Sequence, residues 1–400
     1  MKYRIFAIIA AATLFAACSA SDFFGSFDGD YEYSKDALGG DGATSESGNG
    51  SNTNAGKVTA GEWNDLRNWG FWGKLMNSQG EGSYSAMPEY WGFDTRGRVA
   101  VHVSNPDGSP AMNIPVQLYY NDVREWEAKT DNHGNASLWM GLYGMPSPLD
   151  STALALTVSG NLLADVPVIT TFRDTVALVN NVTLTEQPLV SSSADVAFIV
   201  DATGSMMDEI AFLRDDFLDI LGKVKNAQSS INVRTAALFY RDEGDEYVTR
   251  FSNFSDTPQK TIDFIKNQEA DGGGDYPEAV HTALSAALQS LSWNTNARNR
   301  IAFLVLDAPA HHENDVIQSL HTSITAFAKN GIRLIPVTAS GTDKNTEFMC
   351  RFFSIVTGGT YVFITNDSGV GGDHIEASVG KYEVELLNAL MVRLINEYIE

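Results

Sequence analysis

The stretch Val196-Ala-Phe-Ile-Val200, followed at once by Asp201-Ala-Thr203-Gly-Ser205, sets an uninterrupted apolar run against three regularly spaced oxygen donors. A short run of this kind, ended by a turn, reads as a strand buried on both faces. Beyond it Asp201, Thr203 and Ser205 alternate on one side of the turn, so a carboxylate and two hydroxyls face one point. Hard oxygens suit Mg²⁺, Mn²⁺ or Ca²⁺ better than zinc or copper, which prefer nitrogen and sulfur. Directly after, Ile210, Leu213, Phe217, Leu218 and Leu221 recur at helical spacing. The loop therefore lies at a helix N-terminus above the carboxyl end of a strand, where open α/β sheets bind ligands.

Two further stretches fit the same design. Gly272-Gly-Gly-Asp275-Tyr-Pro-Glu278 precedes the helical pattern from Ala279 to Leu288, and the buried-strand pattern Ile301 to Leu306 ends in Asp307-Ala-Pro309. Together the three resemble the von Willebrand factor A (VWA) family, whose metal-ion-dependent adhesion site has a D-x-[ST]-x-S core and two later loops. The resemblance runs from Ala194 to Gly369. It implies an α/β Rossmann-like, doubly wound domain with a divalent cation, Mg²⁺ first and Mn²⁺ or Ca²⁺ as alternatives, held by Asp201, Thr203, Ser205, Asp275 and Asp307. Many members carry threonine where this chain has Asp275. Three carboxylates would bind the ion more tightly but neutralise it more fully. An acidic partner group is then held more weakly, or one Asp reaches the ion through water, or the site is chiefly structural.

Around these loops, Val233 to Tyr240 and Tyr247 to Phe251 read as a hairpin whose turn carries Asp242, Glu243, Asp245 and Glu246. The turn adds negative potential beside the ion or is simply solvated. His311 and His312 are candidates for the rim of the site, with zinc ligation as the sharper alternative, and His374 is a further ligand candidate. Helices are expected over 317–329 and 347–356, strands over 332–337 and 361–364, and an amphipathic helix over 382–398. Cys350 sits among Phe348, Met349, Phe352 and Phe353 and reads as a core residue.

Upstream, residues 96–188 alternate in short runs separated by turn signals, the pattern of an antiparallel β-sandwich. Gly97, Val99, Val101, Gly108, Pro110, Val116, Leu118, Thr130, Asp131, Gly134 and Ala136 resemble the carboxypeptidase-regulatory-like Ig-type modules. Six of the seven tryptophans fall between Trp63 and Trp139. They read as core rings or as a sugar-stacking platform. His102 and His133 stand alone.

At the N-terminus, Lys2 and Arg4 precede an apolar run ending in Leu14-Phe-Ala-Ala-Cys18, which resembles a bacterial lipobox with Cys18 as the lipidated residue. An ordinary cleaved signal is the alternative. The expected organisation is a signal peptide over 1–18, a polar tether over 19–57, a Trp-rich segment over 58–95, the β-sandwich over 96–188, the VWA domain over 194–369, and a loop and helix over 370–400 packing on it. With 50 Asp plus Glu against 27 Lys plus Arg and a formal charge of -23, the chain is a poor partner for nucleic acid or an anionic membrane. Membrane contact is expected only through the lipid.

The reading is thus a multidomain, non-enzymatic lipoprotein of the bacterial envelope, at the outer membrane or cell surface, whose VWA domain binds a protein or other macromolecule through an acidic group at the metal. A carbohydrate-binding or envelope-scaffolding protein using the Trp-rich β-module is the alternative. A metal-dependent hydrolase using Asp307, His311 and His312 comes third.

Overall fold

The apolar run that opens the sequence reading becomes the middle of a sheet. The structure, a computed structural model, describes residues 56–80, 83–172, 178–227 and 230–400. The expected signal peptide with Cys18, and nearly all of the expected tether, lie outside the described residues. In chain order, β1 (Thr59–Trp63) is followed by α1 (Trp69–Asn77), α2 (Met87–Trp91) and the strands β2 (Arg98–Ser104), β3 (Pro115–Tyr120), β4 (Val123–Lys129), β5 (Asn135–Trp139), β6 (Leu154–Val158), β7 (Asn161–Leu162) and β8 (Val179–Thr183). Then come β9 (Ser193–Asp201), α3 (Met207–Ala227), β10 (Asn232–Tyr240), β11 (Thr249–Ser255), α4 (Pro258–Lys266), α5 (Val280–Ser290) and β12 (Asn299–Leu306). The chain closes with α6 (Asn314–Asn330), β13 (Ile332–Thr338), α7 (Lys344–Thr357), β14 (Tyr361–Ile364), β15 (Glu385–Leu386) and α8 (Leu387–Ile399).

An eight-stranded mixed sheet has the order β11-β10-β9-β12-β13-β14-β1-β15. Strand β9 pairs in parallel with both β10 and β12, and β12, β13 and β14 continue the parallel ladder. The alternation of side chains along each strand divides the core in two. Val196, Phe198 and Val200 join Ile301, Phe303 and Val305 on the face covered by α3 and α8. Ala197 and Ile199 join Ala302, Leu304 and Leu306 on the face covered by α5, α6 and α7. Helices on both faces explain why these strands read as continuous apolar runs.

The β-rich module forms two small sheets, β5-β2-β8 and β4-β3-β6-β7. Their apolar side chains, among them Val101, Leu118, Trp126 and Leu156, belong to the same buried cluster as α5, α6 and α7. The described residues accordingly form one compact unit.

Along the sheet's far edge the structure departs from the sequence reading at two places. The segment 58–95 is not a separate element between tether and module: β1 inserts between β14 and β15, antiparallel to both. Thr59-Ala-Gly-Glu-Trp63 has no apolar alternation to betray it. What admits it is Gly61, where a Cβ would lie 2.7 Å from the Phe363 ring. Likewise the C-terminal helix starts only at Leu387, because Glu385 and Leu386 are paired with Ala60 and Thr59. The chain thus enters the α/β sheet, leaves it to build the β-rich module, and returns at β9.

A buried ion pair fixes this arrangement. Arg351 on α7 donates to Asp65 Oδ1 at 2.6 Å and Oδ2 at 2.9 Å, with both side chains fully buried. Glu347, one turn earlier, lies 3.6 Å from the same guanidinium, and Trp72 flanks it at 5.3 Å. Around it Trp72 stacks on Phe348, and Phe93 on Phe352 at 3.6 Å. Replacing Arg351 by Met leaves the Asp65 carboxylate buried without its cation, while Glu347 keeps Lys344 at 3.0 Å, and removing one partner of such a pair costs about 3–5 kcal/mol. Urea unfolding of Arg351→Met is expected to show that loss. A decrease no larger than the ~1 kcal/mol typical of an exposed pair would refute the structural role given to it.

Candidate functional site

Parallel strands that end together place their following loops together, and here three such loops meet. Strand β9 ends at Asp201, and the chain turns through a short 3-10 segment, Gly204–Met206, into α3. Asp201 Oδ1 accepts hydrogen bonds from Thr203 N at 2.9 Å and Thr203 Oγ1 at 2.7 Å, and the Thr203 and Ser205 hydroxyls are 3.1 Å apart. Asp201 Oδ2 has no partner among the described residues. On the neighbouring strand, Asp307 follows directly after β12 and is 4% exposed, with Oδ1 likewise unpartnered. Asp201, Thr203 and Ser205 thus share one turn, and Asp307 stands near enough for its charge to act on Asp201.

The third loop behaves differently. Asp275 is exposed and makes no hydrogen bond or ion pair among the described residues. Three residues later, Glu278 is 2% exposed and Oε2 lacks a partner. Its backbone N–H donates to Pro309 O at 2.9 Å, and a single bridge joins it to Ala310, so it is tied to the loop that carries Asp307. Glu278 is thus the buried carboxylate of this loop. The sequence signal for it was present in the Asp-x-Pro-Glu run, but alignment on the first acidic residue passed over it.

Electrostatics register the crowding. Burial, with the neighbouring Asp201, Asp242 and Asp307 charges next, pushes the Glu278 carboxyl up to about 9. Burial also raises Asp201, and Asp307 adds to the rise. Asp307 is raised by burial, partly offset by the Ser205 hydroxyl and reinforced by Glu209. Three carboxylates with one open oxygen each cannot all be charged in a dry site without a cation. The donor set, carboxylates plus the Thr203 and Ser205 hydroxyls, fits a hard divalent ion. Among the described residues, no three His, Cys, Asp or Glu side chains already stand close enough to enclose one.

The flanking groups sort themselves by partner. Asp242 is buried and its Oδ1 lies 2.9 Å from His311 Nε2, placing His311 at the rim. His312 is turned elsewhere: its Nε2 bonds the Tyr90 carbonyl at 2.7 Å and its ring stacks on Tyr90 at 3.6 Å. Glu209, in the first turns of α3, accepts from Ser340 N at 3.0 Å and stands 4.0 Å from His374 Nε2. The buried Arg241 sits 3.8 Å from Asp271 and 3.9 Å from Glu246, offsetting part of the turn's charge. Trp69, Trp72 and Trp91 on α1 and α2, and Trp126 and Trp139 in the β-rich module, are all buried, so their rings fill core rather than line a surface.

Comparison with known proteins agrees with this region. Residues 195–346 match the family profile of the von Willebrand factor A domain. The chain is 34% identical over 123 residues to the putative ariadne-like RING finger protein R811 of Acanthamoeba polyphaga mimivirus, covering 30% of this chain and 12% of that protein. It is 30% identical over 146 residues to alpha-protein kinase vwkA of Dictyostelium discoideum, covering 36% of this chain and 23% of that one. The chain thus spans less than a quarter of either curated relative. Among solved structures, the conserved hypothetical protein BatB from Bacteroides thetaiotaomicron aligns with 51% of this chain and 98% of its own at 11% identity, with a TM-score of 0.36.

The raised Glu278 carboxyl has a consequence for the metal-free protein. A carboxyl lifted from the usual 4.5 to about 9 on folding contributes stability that is complete below its unfolded value and is lost as pH rises through the folded one. Thermal unfolding in EDTA is therefore expected to show wild type weakening across that window relative to Glu278→Gln, which stays neutral throughout. Parallel pH profiles for the two would mean that Glu278 is not held dry and unpaired.

Proposed function

Starting from the von Willebrand factor A domain that the chain carries at residues 195–346, we propose that it is a divalent-cation-dependent binding module for a protein partner. Domains of this family generally mediate protein–protein interactions. The observation that carries the metal-dependent part is that three loops, following β9, preceding α5 and following β12, each bring one buried carboxylate with an unpaired oxygen to the same edge of the sheet. Asp201, Thr203, Ser205, Glu278 and Asp307 are the residues that would hold the ion, with Mg²⁺ the first choice for an all-oxygen set and Mn²⁺ or Ca²⁺ as alternatives. Asp275 stays at the rim, where it reaches the ion through water or meets the partner.

When bound, such an ion supplies a position to which an oxygen of the partner can attach. The chain's own residues set the terms of that attachment. Thr203 fixes the Asp201 carboxylate by two hydrogen bonds to one oxygen, so that the other keeps a defined direction. Three carboxylates around a doubly charged ion leave the site net negative, which disfavours a charged acidic group and favours a neutral oxygen or a water-bridged acid. The buried tryptophans give no support to a sugar-stacking platform, and His312's engagement with Tyr90 gives none to a hydrolytic pair with His311. The envelope-lipoprotein part of the proposal rests on the lipobox resemblance ending in Cys18, and the mass of the mature N-terminal peptide tests it.

Titration with Mg²⁺, Mn²⁺ and Ca²⁺ followed by thermal unfolding examines the metal directly. Binding to the folded state alone stabilises it by about 2.7 kcal/mol at a hundredfold excess over Kd. A saturable rise in Tm that vanishes in Asp201→Ala is the expected result. A chain whose Tm ignores all three ions, or an Asp201→Ala variant that responds as wild type does, would remove the proposal.

A further inference from the structure

Asp245 lies in the turn of the β10–β11 hairpin and is not one of the five groups assigned to the ion, yet two of the site's loops depend on it. Its Oδ2 accepts a hydrogen bond from Asp242 N at 3.1 Å and a second from Gly273 N at 2.9 Å. The glycine loop so held is tied on its other side to the loop after β9. Gly204 N donates to Gly272 O at 3.0 Å, and Asp271 N donates to Ala202 O at 3.0 Å. The approach is close: Gly272 has φ +79°, and a Cβ there would lie 2.5 Å from the Asp245 carboxylate. Only glycine takes that backbone at that distance without strain.

The next residue shows what the clamp controls. Gly273 has φ +71°, and a Cβ on it would fall 3.0 Å from Glu278 Oε1 and 3.2 Å from Thr203 Cβ. Its bare backbone is therefore the spacer between two groups assigned to the ion, and Asp245 decides where that spacer sits. The other donor to Asp245 is Asp242, whose carboxylate meets His311 on the loop after β12. One carboxylate thus joins the hairpin to the glycine loop and, through Asp242, to the loop after β12.

Resting on the metal reading above, we propose that Asp245 is a positioning residue for the cation site: it sets the separation of Thr203 and Glu278 through the glycine loop without touching the ion. Its contribution comes from two accepted hydrogen bonds, not from its charge. Asparagine in its place keeps an oxygen that accepts both N–H groups and discards the charge, whereas alanine discards both.

Calorimetric titration of the full chain with Mg²⁺ tests this in wild type, Asp201→Ala, Asp245→Asn and Asp245→Ala. Residues that orient metal ligands typically change affinity by roughly 10–100-fold when removed, and Asp245→Ala is expected to weaken Mg²⁺ by that factor while Asp245→Asn stays close to wild type. Should Asp245→Ala fail to fold, Gly272→Ala produces the same displacement by forcing a methyl against the carboxylate, and it is expected to weaken Mg²⁺ too. Wild-type affinity in Asp245→Ala, or in Gly272→Ala where that variant is used, overturns the positioning role. Equal losses in the Asn and Ala variants overturn it in favour of a charge effect. Wild type that binds no Mg²⁺, or binding that survives in Asp201→Ala, overturns the metal reading itself and this inference with it.

Discussion

Three carboxylates held out of water at one edge of a sheet, each short of a partner, form the constraint around which this structure is arranged. A buried charge without compensation is among the most costly features a fold can contain. The fold satisfies what it can: both Thr203 donors serve Asp201, and the Glu278 N–H is used by Pro309. The second oxygens of Asp201, Glu278 and Asp307 are left over. Other buried polar atoms also go without partners, Trp126 Nε1 and Arg333 Nε among them, but these three carboxylates are close enough for their charges to act on one another, and function is the usual reason for such a cluster.

Comparison within the molecule sharpens the point. Arg351 and Asp65 are as deeply buried as Asp201, but their pairing is bidentate, with Glu347 close by. Arg300, at the start of β12, is also buried and donates to the carbonyls of Asn294, Thr295 and Ala297. The same strand therefore carries a satisfied cation near its beginning and is followed by an unsatisfied carboxylate. Burial alone does not separate a structural ionisable group from a functional one; the number of partners does.

The route of the chain gives the site its support. By placing β1 inside the sheet and then building the β-rich module from the following residues, the fold wraps one apolar cluster over α5, α6 and α7. Tyr90, at the end of α2, captures His312. The segment ahead of the module thus shapes the rim of a site whose donors all come from the later part of the chain. The hairpin turn does so too, with Asp245 and Asp242 reaching the glycine loop and the loop after β12.

Much of this was legible in the sequence, for a local reason. A strand buried on both faces must be apolar throughout, so β9, β12 and β13 announce themselves, and the oxygen donors that follow β9 are fixed by turn geometry within five residues. What the sequence could not determine is decided by packing between distant segments. Thr59-Ala-Gly-Glu-Trp63 becomes a strand only because Gly61 leaves room for the Phe363 ring and β14 offers an open edge. Glu385 and Leu386 leave the helical pattern for the outer edge of β1. In the third loop, Asp275 and Glu278 are chemically near-equivalent in sequence. The bridge between Glu278 and Ala310 turns one of them inward and leaves the other in solvent. Local periodicity wrote the strands, helices and the loop after β9; the choice among equivalent carboxylates, and of which loops press on them, belongs to contacts between residues far apart along the chain.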